Sequence, residues 1–98
     1  MNKDTKQQIN NRVVAGMMLL DELAPGWKDK VDVSILDMSD PECCILGQVY
    51  GDFRTGVRVL GLDLDDGIIL NGFDEKYHLP NLEEYLTRLT EEWVEYLT

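Results

Sequence analysis

Apolar residues recur at four- and three-residue intervals near the end of this chain: Leu82, Leu86, Leu89, Trp93 and Tyr96. That is the a/d spacing of an amphipathic helix, whose apolar stripe must find a partner surface. Tyr85 and Leu97 broaden the stripe. Pro80 opens the segment, and Asn81 with Glu84 forms an asparagine variant of the capping box. The spacing predicts a helix over 81–97. Its opposite face carries Glu83, Glu84, Glu91, Glu92 and Glu95 against one basic residue, Arg88. Such a seam is either intramolecular core or a homodimer contact.

The rest of the chain offers two further helical patterns. Ile9, Val13, Met17, Leu20 and Leu23 fall at helical spacing, with Val14, Met18 and Leu19 beside them. This predicts a helix over 3–23, ended by Ala24-Pro25-Gly26 because proline disfavours helical geometry before it. Trp27 follows and suits the edge of a core. Residues 31–38 alternate like a short strand yet also fit one helical face. They are read as an irregular or one-turn connector.

Ser39-Asp40-Pro41-Glu42 is a helix start, with Asp40 as cap and Pro41 first in the helix, or with Ser39 and Glu42 as a capping box. The predicted helix over 41–59 places Ile45, Val49, Phe53 and Val57 on one stripe. Gly47, Gly51 and Gly56 recur within it, at a propensity cost of about 2–3 kcal/mol. Close approach of another helix or a loop would offset that cost. A rival reading breaks the helix at Gly51 and makes 57–60 a strand. Short strands, if any, fall at 31–36 or 57–70.

The expected architecture is mainly α: one domain spanning 1–98, a small bundle of about three principal helices with an irregular middle connector. The expected core is Val13, Met17, Leu20, Trp27, Ile45, Val49, Phe53, Phe73, Leu82, Leu86, Leu89 and Trp93.

Charge narrows the function classes. Nineteen acidic residues against nine basic give a net charge of -10 in 98 residues. Nucleic-acid binding needs a basic face that releases counterions, and anionic membranes attract the same sign. Neither partner is expected. No run of about 18 apolar residues exists to span a membrane. The first residues lack the apolar stretch of a secretory signal. The acidity is also unevenly spread. Residues 61–98 carry ten acidic and two basic side chains, and the first sixty carry nine and seven.

No residue set specifies a reaction. Cys43 and Cys44 are adjacent, so a disulfide between them would close almost no loop. Two thiols do not complete a zinc site. They read as half-buried residues at a helix start, in keeping with a reducing cytoplasm. Asp63-Leu64-Asp65-Asp66-Gly67 invites a calcium loop. However, counting from Asp63 puts Ile68 where glycine belongs and Asp74 where the bidentate glutamate belongs. His78 has no partner at catalytic spacing. The glycines match neither a dinucleotide fingerprint nor a phosphate loop. No metal or cofactor is expected.

What remains is surface. The glutamates Glu83, Glu84, Glu91, Glu92 and Glu95, with Asp63, Asp65 and Asp66, form a candidate docking face for a basic protein. A nucleic-acid-binding protein fits, since its groove would accept carboxylates in place of phosphates, with salt-sensitive steering of the encounter. Two rivals are a small-molecule-sequestering module near the glycines and Trp27, and a small enzyme using Cys43 or Cys44.

The stretch from Cys44 to Phe53, Cys-Ile-Leu-Gly-Gln-Val-Tyr-Gly-Asp-Phe, resembles a signature of small phage- and prophage-encoded proteins. Gly56 and Leu60-Gly61-Leu62 continue it. Leu19-Leu20-Asp21-Glu22, Pro25-Gly26-Trp27, Leu36-Asp37-Met38-Ser39, Gly72-Phe73-Asp74 and Leu89-Thr90-Glu91-Glu92-Trp93 are similar in kind. The resemblance implies an accessory phage-type product in a bacterial cytoplasm that acts on host machinery. Anti-defence inhibitors, anti-CRISPR proteins among them, belong to that class. It implies no established chemistry.

Overall fold

The structure is a computed structural model and describes residues 3–62, 72–73 and 82–98, with residues 3–5 and 82 described as backbone. Helix α1 spans Lys3–Leu23 and a single 3-10 turn spans Trp27–Lys30. Helices α2 and α3 span Ile45–Tyr50 and Phe53–Leu60, and α4 spans Leu82–Leu97. The fold is mainly helical, as the periodicity requires. Among the described residues there are no strands, so neither 31–36 nor 57–62 is a strand. The remainder of the 57–70 strand expectation, and the predicted cap at Pro80 and Asn81, lie outside the described residues.

The ends of the chain meet. Ile9, Val13 and Leu20 form the buried line of α1, and Tyr85, Leu89 and Trp93 that of α4. At the centre the Trp93 ring stacks on Phe73, 5.8 Å between centroids, and meets Trp27 edge-on at 6.1 Å. Both indole N–H groups are satisfied. Trp93 Nε1 donates to the Gly72 carbonyl at 2.7 Å, and Trp27 Nε1 to Asp21 Oδ1 at 2.8 Å. Gly72 has φ +71°, and a Cβ there would lie 3.0 Å from the α1 backbone at Arg12 and Val13. Only glycine brings the chain that close in that conformation.

The middle of the chain departs from the expected 41–59 helix in two ways. Residues 41–44 form a turn, and α2 starts at Ile45 with Cys44 as its cap. Asp40 spends its carboxylate on the N–H groups of Glu42 and Cys43, while Ser39 Oγ bonds Asp37. The capping chemistry predicted for a helix therefore closes turns instead. The helix then breaks at Gly51, whose φ is +100°. Asp52 restarts it by accepting the Thr55 N–H at 2.8 Å. The break at Gly51 matches the rival reading, but 57–60 is helix and not strand.

The expected close approach at the glycines is present. A Cβ on Gly47 would lie 2.6 Å from the Glu42 carbonyl carbon, and one on Gly56 2.8 Å from Leu46 Cβ. A loop covers the first glycine and α2 covers the second.

Of the expected core, Val13, Leu20, Trp27, Ile45, Phe73, Leu89 and Trp93 are buried. Met17, Val49, Phe53 and Leu86 pack against its edge. The side chain of Leu82 lies outside the described residues. The buried stripe of α4 is turned toward Tyr85, and Tyr96 at its far end is 39% exposed.

Candidate functional site

The outer face of α4 is a consequence of its inner face. Once Tyr85, Leu89 and Trp93 turn inward, Glu83, Glu84, Glu91 and Glu95 stand on the exposed side. Arg88 sits among them and pairs with Glu91 at 3.5 Å, with both side chains more than half exposed. An ion pair in that setting contributes little to stability. Four of the five glutamates expected on this face are there.

Glu92 is the correction. It is only 8% exposed and faces α1, where its Oε1 accepts the Asn10 side-chain amide at 2.9 Å. Asn10 also reaches the Tyr96 hydroxyl at 2.8 Å, and Arg12 donates to the Tyr85 hydroxyl at 2.6 Å. The α1–α4 contact thus has a polar edge that the a/d pattern did not foretell. The signal was available, since Glu92 lies three residues after Leu89 and seven after Tyr85, the spacing of a shared helical face. Asp63, Asp65 and Asp66 lie outside the described residues, as does His78.

The cysteines divide their work. Cys44 is 1% exposed, and its Sγ accepts the Gly47 N–H at 3.3 Å as the cap of α2. Cys43 is half-exposed. Desolvation pushes its thiol pKa upward, and the carboxylates of Asp40, Glu42 and Asp37 add to the rise. A thiol in that field stays protonated at neutral pH and is a weak nucleophile.

Around Gly47 and Gly56 the space is occupied by chain, while the side of Gly51 is open. Backbone of residues 41–42 fills the side of Gly47, and Leu46 and Tyr50 fill that of Gly56. Trp27 is buried against Trp93. Among the described residues no group of three or more histidine, cysteine, aspartate or glutamate side chains is placed to hold a metal ion. Among them, too, no helix is long and apolar enough to cross a membrane.

Comparison with protein-family models, with curated proteins and with solved structures returned no match.

Proposed function

We propose that this chain is a non-enzymatic accessory protein that binds and modulates a basic protein through the outer face of α4. The observation that carries the reading is the set of four exposed glutamates, Glu83, Glu84, Glu91 and Glu95, with Arg88 as the one basic residue of that helix. Asp63, Asp65 and Asp66 extend the same acidic half of the sequence. A basic groove that ordinarily holds phosphates is the complementary surface, so a nucleic-acid-binding protein is the proposed partner class. The capping duty of Cys44 and the raised pKa of Cys43 favour binding over thiol catalysis. The resemblance to phage-encoded proteins supplies the proposed setting: a bacterial cytoplasm, and host machinery as the target, with inhibition of a defence system as the effect.

The test uses Glu91→Lys with Glu95→Lys. Both positions lie toward the C-terminal end of α4, where no basic residue stands in the last turn. Lysine there complements the helix dipole, so the variant keeps its fold while the face changes sign. Pull-down from nuclease-treated bacterial lysate should enrich basic proteins at low salt, release them at high salt, and lose them with the variant. Equal capture by the variant, or no capture at any salt, refutes the reading.

A further inference from the structure

We draw no further inference here: the strongest candidate, the apolar surface patch at Met18 on the outer face of α1, carries nothing because nothing in the structure shows what covers it.

Discussion

The contact between α1 and α4 and the stretch from Val31 to Gly61 achieve burial by opposite means. The first uses size. Trp27, Phe73 and Trp93 fill the space between helices that lie about seventy residues apart in the chain. The second uses smallness. Gly47 lets the 41–42 backbone sit on α2, Gly56 lets α3 sit on Leu46, and the carboxylates of Asp32, Asp37, Asp40 and Asp52 hold the turns by accepting hydrogen bonds from nearby backbone N–H groups. Aromatic packing tolerates small adjustments by shared displacement. Backbone against backbone has no side chain that can give way. The two regions should therefore answer differently to mutation, one to loss of volume and the other to its gain.

The largest effect is expected from Trp93→Ala. The ring is fully buried and touches both Trp27 and Phe73. Its removal should cost about 3–5 kcal/mol in urea unfolding, a large share of the about 5–15 kcal/mol typical of a domain. Trp93→Phe keeps most of the volume but leaves the buried Gly72 carbonyl without its indole donor. That variant should lose about 1–3 kcal/mol. If Trp93→Ala costs no more than a glycine variant in the middle region, the aromatic cluster is not what joins the ends.

Next in size is Gly47→Ala. In an open helix interior this change would stabilise by up to about 1 kcal/mol. Here the added methyl meets the backbone of residues 41–42, so the sign reverses, to a loss of about 1–3 kcal/mol. Gly56→Ala should lose less, because the atoms it meets belong to the side chains of Leu46 and Tyr50. Thermal melts of the two variants side by side check the order. A Gly47→Ala protein as stable as wild type would dissolve the contrast between the regions.

The cysteines sharpen the contrast on a smaller scale. Cys44→Ala removes the cap of α2 and a buried group, so a loss of about 1–2 kcal/mol is expected. Cys43→Ser should leave the melting temperature unchanged. In the native protein iodoacetamide should modify Cys43 ahead of Cys44. That reaction should quicken as pH rises, with a midpoint above the ordinary 9.0, because desolvation and the neighbouring carboxylates hold the thiol protonated. A midpoint below that value would return the cysteine to candidacy as a nucleophile.

The two regions were also unequally legible. The extents of α1 and α4 follow from periodicity, and Val13, Leu20, Leu89 and Trp93 are buried as expected because long stripes average over local exceptions. Helix phase was less secure. Leu82 to Tyr96 defined a seam centred one position away from the buried line through Tyr85 and Leu89, and this put Glu92 on the wrong face. The polar contact with Asn10 that holds Glu92 is long-range, and no local spacing encodes it. In the middle region, Ser39-Asp40-Pro41-Glu42 satisfied the rules for a helix start, but the same side chains cap turns equally well. The choice between them was made by Gly47, which admits the 41–42 loop, and by Gly51, whose positive φ ends α2. The glutamate face was readable because exposure follows from the opposite stripe.

The smallest expected effect separates the regions by acid. Asp52 has its carboxyl pKa held below 3.8 by the Thr55 backbone N–H and then by the Thr55 hydroxyl. Asp32 and Asp37 are lowered too, first by the hydroxyls of Ser34 and Ser39 and then by the backbone N–H groups of the same residues. A depressed folded-state pKa contributes stability above the unfolded value and loses it as pH falls through the folded value. All three groups are in the middle region, so that region should loosen first on acidification. Melting curves of wild type and Asp52→Ala should therefore stay a constant, small distance apart at neutral pH, then converge as the pH falls below the ordinary carboxylate value and the carboxyl is protonated. Amide exchange followed in the same pH series should quicken in α3 before the buried turns of α4, since Asp52 is the cap that starts α3. Separation that persists at the acid end would mean the cap acts through the shape of the side chain and not its charge. Exchange that quickens in α4 first would put the acid-sensitive contacts at the aromatic junction and reverse the comparison.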